Sequence, residues 1–345
     1  MPRKKAEPKK IELNEEQREV VSARQGCYAV LAGPGAGKTS VLVERLVRLV
    51  EEGVTPSDLL SLSFTSTAAK NLRDRVEARV GKLSTNRTAG CLTFHSMALS
   101  FAQEEHDAFP FKLADFPLAT EPVANKLSAE AARKYEIDPR HLRASVSLFK
   151  RRRISAARAV RDAENSLKAS ELKTALAYKA YDKKCEEQGL LDFDSLIYQM
   201  VEILDKNPGV RGRWIRDWIQ LDESQDMSKI EWDLSKLISG KSVLAVGDVS
   251  QGIYAFRGSD PRLFQDMKEI FPGTKTLYLS CNFRSSPEIV NFIRPISATQ
   301  DLAQKFHTPN QPGPSPVVKG FANPVDEAMW VVKQIKGETP QVLNL

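Results

Sequence analysis

Two short stretches carry residue types at spacings that suit phosphate chemistry. The first is Ala32, Gly33, Pro34, Gly35, Ala36, Gly37, Lys38 and Thr39, with Ser40 behind them. Glycines here let backbone N–H groups turn inward around phosphate oxygens, and a helix starting directly afterwards adds its partial positive charge. Lys38 can reach the β- and γ-phosphates, and the Thr39 hydroxyl can ligate Mg²⁺. The bland alternative is a glycine-rich turn with a chance lysine. It does not explain the apolar strand before the loop (Cys27–Leu31) or the helix after it, from about Thr39 to Glu52. The second stretch, Leu221-Asp222-Glu223-Ser224-Gln225-Asp226, closes another apolar run. Asp222 is placed to hold Mg²⁺, directly or through water, and Glu223 beside it to polarise an attacking water. Alone, these letters would also suit an acidic loop at a strand end. Downstream of a phosphate loop they suit hydrolysis of a nucleoside triphosphate.

The elements that must position these residues follow an α/β grammar. After the Thr39–Glu52 helix, Leu42, Leu46 and Val50 keep helical spacing and Gly53 suits the C′ position. Leu59–Phe64 reads as a strand and Thr67–Val80 as a helix, so the first hundred residues alternate as in a parallel sheet. Asn14 and Gln17 form a capping box for an earlier helix. From about 100 to 205 the chain reads as helices rich in Ala, Lys, Arg and Glu, a helical insertion. Strand signals return at Trp218–Leu221, Ser242–Val246 and Leu277–Leu279. A helix past Ser286, a proline-rich linker (Thr308–Pro316), a strand (Val317–Phe321) and a helix (Asp326–Ile335) follow.

At 345 residues the chain has room for about two domains. With 41% apolar and 27% charged residues it has the composition of a soluble globular protein, too apolar for disorder. No run approaches the ~20 apolar residues of a membrane span. The N-terminus, MPRKKAEPKK, lacks the apolar core of a secretory signal. Cys27, Cys91, Cys185 and Cys281 are scattered without CxxC spacing, which points to reduced thiols in the cytoplasm. The net charge is +6, and residues 1–10 supply five Lys/Arg against one Glu. A denser run lies between Pro139 and Arg161, where eight Lys/Arg, including Arg151, Arg152 and Arg153, meet no acid. Such a run is either a solvated helix face or a contact for a nucleic-acid backbone.

Six blocks, in order, resemble the UvrD/Rep/PcrA family of superfamily 1 DNA helicases. LNEEQREVV is similar to the Q motif, AGPGAGKTS to motif I and LSFTSTAAKNLRDRV to motif Ia. CLTFHSMA is similar to motif Ib, QLDESQD to motif II and VGDVSQGIYAFRGSD to motif III. LSCNFRSS resembles the start of motif IV, and LLDFDSLI before motif II is also family-like. The resemblance implies ATP and Mg²⁺ as cofactors and roles for named residues. Gln17 would read the adenine edge, and Phe283, where the family usually has Tyr, would lie against the adenine. Gln251 would sense the γ-phosphate and Arg284 would act as an arginine finger. Ser40 stands where the family often has an arginine. Phe64 and Phe256 would stack bases of single-stranded DNA, each worth ~1–3 kcal/mol without reading sequence. Thr93 and His95 would touch the DNA backbone, and Tyr254 and Arg257 would couple the DNA and ATP sites. Core phenylalanines and a buried structural histidine are the competing readings for Phe64, Phe256 and His95.

On this resemblance the chain is a P-loop RecA-like parallel-sheet domain with an inserted helical domain and the start of a second RecA-like domain. Its divisions are a basic tail (1–10), the first RecA-like domain in two parts (11–104 and 206–286), the helical insertion (105–205) and an incomplete second domain (287–345). Motifs V and VI do not appear, so a partner chain supplying them is one expectation. The implied activity is ATP-driven movement on single-stranded DNA or at junctions with duplex, 3′–5′ by resemblance, with no membrane partner, in a bacterial cytoplasm or that of a phage host. The rival is a truncated or regulatory DNA-binding ATPase subunit without autonomous unwinding. A phosphotransferase is disfavoured by Glu223, Gln251 and Arg284.

Overall fold

A computed structural model describes residues 12–83, 89–255, 258–296 and 300–336. The basic tail, Phe256, Arg257 and the chain end at Val342–Leu345 lie outside the described residues. The apolar runs become strands β1 (Gly26–Ala32), β2 (Leu59–Ser63), β3 (Gly90–Thr93), β4 (Arg216–Leu221), β5 (Ser239–Gly247) and β6 (Lys275–Leu279). They form one sheet in the order β3-β2-β4-β5-β1-β6, and every adjacent pair is parallel. Val30 lies opposite Val246, Leu221 opposite Ala245, and Leu62 opposite both Leu221 and Leu92. A parallel sheet is covered on both faces, so its strands read as continuous apolar runs; β2, LLSLS, is buried at all five positions. Because the strands share one direction, their C-terminal ends share one edge, where α/β folds bind ligands.

The connections are helical: α1 (Glu15–Ser22), α2 (Lys38–Glu51), α3 (Ser66–Val80), α4 (Phe94–Glu104), α5 (Glu121–Lys134), α6 (Pro139–Arg151), α7 (Ala156–Ser166) and α8 (Ala169–Glu187). They continue as α9 (Phe193–Lys206), α10 (Pro208–Trp214), α11 (Lys229–Ile238), α12 (Pro261–Gln265), α13 (Met267–Ile270), α14 (Pro287–Ile293), α15 (Gln300–Lys305) and α16 (Pro324–Ile335). α2 buries Val41, Leu42, Val43, Arg45, Leu46, Val47 and Leu49; of the residues at the expected spacing Leu42 and Leu46 are buried and Val50 is half-buried. The insertion has its own core, in which Leu127, Leu142, Val146, Tyr178 and Tyr181 of α5, α6 and α8 are buried together.

Two strands differ from the sequence reading, which also did not single out helices α10 to α13 and α15. β3 is a strand although its four residues carry no alternating pattern; it exists by pairing with β2, from Leu60↔Gly90 to Ser63↔Thr93. Val317–Phe321 is not a strand. Val317 and Val318 are exposed, and β-branched residues without a partner ladder do not hold strand structure. By contact density the chain divides into two units. One comprises Met1–Ala32 and Lys38–Leu279; the other comprises Gly33–Gly37 and Ser280–Leu345. No helix among the described residues is long and apolar enough to cross a membrane.

Candidate nucleotide and nucleic-acid sites

In the larger unit, Lys38 opens α2 behind β1, and Asp222 and Glu223 follow the end of β4. The sheet brings them together: Lys38 Nζ lies 2.9 Å from Glu223 Oε2. Asp222 is buried, and its N–H donates to Leu62 O at 2.9 Å. Its Oδ1 accepts the Glu223 N–H at 3.0 Å. Glu223 sits at φ +49°, the left-handed region that disfavours side chains, so its carboxylate is aimed by a strained turn. Burial and then the Glu223 charge push the Asp222 carboxyl up to about 6, with Lys38 pulling it back. The same causes push buried Asp226 up to about 6. Among the described residues the Oδ1 of Asp226 is buried without a partner. Lys38 thus pairs with Glu223 and acts electrostatically on the carboxyls of Asp222 and Asp226. No cluster of three or more His, Cys, Asp or Glu able to hold a metal occurs among the described residues.

Ser40 is met by a residue the sequence reading did not single out: Arg75 of α3, whose Nη2 donates to Ser40 Oγ at 3.3 Å. The missing arginine after Thr39 therefore has a guanidinium nearby, legible only once α3 is packed on α2. Gln17 realises its capping role, its Oε1 accepting the Asn14 N–H at 3.1 Å while Asn14 Oδ1 accepts the Gln17 N–H at 2.8 Å. Gln251 ends the turn after β5, and its Nε2 donates to Asp248 Oδ2 at 2.6 Å.

In the smaller unit, the loop tip meets the segment after β6. Gly35 O accepts the Phe283 N–H at 3.0 Å, while Asn282 Oδ1 accepts the N–H groups of Arg284 and Ser285 at 2.8 and 2.7 Å. Gly35 has φ +71°, and a Cβ there would fall 2.8 Å from Asn282 Oδ1, so no other residue fits. Phe283 and Arg284, both exposed, are thus carried beside the glycine loop.

On the nucleic-acid side, Phe64 follows β2 and is half-buried, its ring stacked on Tyr254 with centroids 5.4 Å apart. Thr93 caps α4, its Oγ1 accepting the Ser96 N–H at 3.1 Å. His95 lies flat against Phe193, centroids 3.7 Å apart; Phe193, 54% exposed, was not singled out although it stands inside the LLDFDSLI block. Burial pushes the His95 imidazole down to about 4, opposed by Asp194 and reinforced by Arg151. The folded state therefore prefers the neutral ring. Its stabilisation is complete above the ordinary histidine value of 6.5 and is lost as pH falls toward 4, up to ~3 kcal/mol at 1.36 kcal/mol per unit. We expect His95→Phe to remove this component. Urea unfolding of both proteins at pH 7 and 4.5 checks it, the wild type losing more stability than the variant.

The basic run is redistributed by packing. Lys150 is buried within the insertion. Arg151 pairs with Asp194 at 2.8 Å, and Arg153 with Glu202 at 3.0 Å and with Asp205. Arg152 is exposed, makes no direct ion pair among the described residues, and acts at a distance on Asp260.

The six-stranded parallel sheet with helical connections is that of a RecA-like domain. The model of the UvrD/REP helicase N-terminal domain matches residues 13–272, and the chain belongs to that family. It is 29% identical over 334 residues to the ATP-dependent DNA helicase PcrA of Staphylococcus epidermidis, covering 94% of this chain and 45% of the relative. PcrA of Staphylococcus aureus strain Mu50 is 28% identical over the same shares. The chain thus spans about half the length of the curated relatives it matches.

Proposed function

We propose that this chain is the nucleotide-binding and strand-gripping part of an ATP-driven DNA helicase, hydrolysing ATP to move 3′–5′ on single-stranded DNA. The observation that carries the reading is the 2.9 Å contact of Lys38 with Glu223 beside buried Asp222. That proximity supports reading Lys38 as the phosphate-binding lysine and Glu223 as the water-polarising carboxylate. The backbone N–H groups from Ala32 to Ser40 hold the phosphates, with Gln17 and Phe283 at the adenine. Thr39 and Asp222 would hold Mg²⁺, which supplies charge neutralisation at the phosphates. Glu223 accepts a proton from the attacking water, and Lys38 exchanges its carboxylate partner for phosphate oxygens. Gln251 senses the γ-phosphate, and Arg284 opposes charge developing in the transition state.

Single-stranded DNA is gripped by Phe64 with Tyr254, Phe256 and Arg257, and by Thr93 and His95 at its backbone. His95 does so as a neutral ring. Of the three consecutive arginines, Arg152 is the one available to a phosphate without first surrendering a carboxylate. Arg152→Ala should lower the slope of log K against log salt by ~0.7, the value for one contact on a single strand. Arg151→Ala and Arg153→Ala should act mainly on stability. Fluorescence anisotropy of labelled oligothymidine over a salt series checks this, and an unchanged slope for Arg152→Ala returns the run to a solvated face. The polarity, the cytoplasmic location and a second chain or segment supplying motifs V and VI rest on the family resemblance. Phosphate release with and without single-stranded DNA tests the reading, run beside strand displacement on a tailed duplex. Absent ATP turnover would sink it. DNA-dependent turnover without displacement would favour the regulatory-subunit reading.

A further inference from the structure

We propose that Gln225 is a positioning residue that ties the hydrolytic carboxylate to the turn after β5, so that nucleotide and single-stranded DNA report on each other through it. The inference rests on the ATPase-helicase reading above. Gln225 is 2% exposed, and both ends of its amide are used. Its Nε2 donates to Glu223 Oε2 at 3.0 Å and to Asp226 Oδ2 at 3.3 Å. Its Oε1 accepts the Asp248 N–H at 2.9 Å, across 23 residues of chain.

From Asp248 the connection continues without a gap. Asp248 Oδ1 accepts the Ser250 N–H at 3.0 Å, and Oδ2 accepts Gln251 Nε2 at 2.6 Å. The Gln251 N–H donates to Asp248 O at 2.9 Å, closing the turn. Three residues on, Tyr254 stacks on Phe64. One bonded path therefore runs from Glu223 through Gln225, Asp248 and Gln251 to the segment carrying the aromatic pair.

The path depends on residue type at two points. At this side-chain length the amide offers a donor to the carboxylates and an acceptor to the Asp248 N–H at once; ionised glutamate lacks the donor, and methionine has no donor and only a weak sulfur acceptor. Gly247 lets β5 approach closely, since a Cβ there would fall 2.6 Å from Gln225 Oε1. When Glu223 moves to meet water or phosphate, the amide shared with it must follow or break, and either event shifts Asp248. Linkage makes the effect reciprocal, so each ligand changes the other's affinity by one common factor.

The test measures that factor by binding alone, so it does not depend on turnover. The affinity of the purified 345-residue protein for labelled oligothymidine is measured with and without a non-hydrolysable MgATP analogue. The expected coupling in the wild type is about fivefold or more. Gln225→Met, similar in size and with no donor and only a weak acceptor, should keep each separate affinity within about twofold and bring the factor to about one. If Gln225→Met does not fold, Asp248→Ala cuts the same path one bond further on and should have the same effect. Preserved coupling in a folded variant would overturn the inference. So would a wild type that binds both ligands without coupling. A wild type that binds neither overturns the ATPase-helicase reading and this inference with it.

Discussion

Glu223→Gln is expected to retain MgATP binding and to lose turnover by ~10²–10⁴-fold, the range in which a general base contributes. The amide has the size of the carboxylate but cannot accept a proton from the attacking water. The left-handed turn that aims the side chain is held by backbone bonds, Asp226 N–H to Glu223 O at 2.9 Å among them, and these survive the change. The ion pair adds a second consequence. Lys38 is engaged by Glu223 at 2.9 Å, so phosphate binding must break that contact. Removing the negative charge frees the ammonium, and affinity for MgATP should rise a few-fold while hydrolysis falls. Lys38→Ala should do the reverse and weaken binding, because no other cation stands at that point of the loop in the sequence. Nucleotide titration beside phosphate release separates the two variants. Unchanged turnover in Glu223→Gln would remove the catalytic assignment.

Lys150→Met should be the most destabilising single change in the helical insertion, at about 3–5 kcal/mol. Lys150 is 2% exposed, with its Nζ 2.9 Å from Asp182 Oδ1, 3.0 Å from Asp192 Oδ2 and 2.7 Å from Ser195 Oγ. Tyr181 also donates to Asp192 Oδ2, at 3.0 Å. Burial opposes the ammonium, but Asp182 and Asp192 outweigh it and raise its pKa well above the ordinary lysine value. Burial likewise opposes the Asp192 carboxylate, and Lys150 with the Ser195 hydrogen bonds overcomes it, holding Asp192 down at about 2. Methionine fills the space of the lysine stem and leaves the buried Asp192 carboxylate and the half-buried Asp182 carboxylate without their cation. The penalty comes from those stranded charges rather than from the loss of a favourable pair. Urea unfolding of wild type and variant measures it; a difference under 1 kcal/mol would mean that water reaches the carboxylates.

What could be read in the sequence is what short stretches of backbone encode. The glycine loop, the Lys38 and Thr39 that follow it and the Asp222-Glu223 pair are each contiguous, and their chemistry depends on a strand end and a helix start within a few residues. The Asn14–Gln17 cap is local in the same way. The fate of the basic run was not legible, because the acids that absorb it are remote. Asp192 and Asp194 lie 42 and 43 residues from Lys150 and Arg151, and Asp205 lies 52 residues from Arg153. A charge run is indistinguishable from a solvated face until α6 packs against α8 and α9. β3 owes its identity to β2, and Val317–Phe321 has strand-like residues but no such neighbour among the described residues. Gln225 was visible as a letter within motif II, yet its partner Asp248 arrives only because parallel β4 and β5 deliver their C-terminal ends to one edge. Local chemistry follows from bonded geometry over a few residues. Which charges are neutralised, and which loops share a hydrogen bond, follows from sheet order and helix packing between segments far apart in the chain.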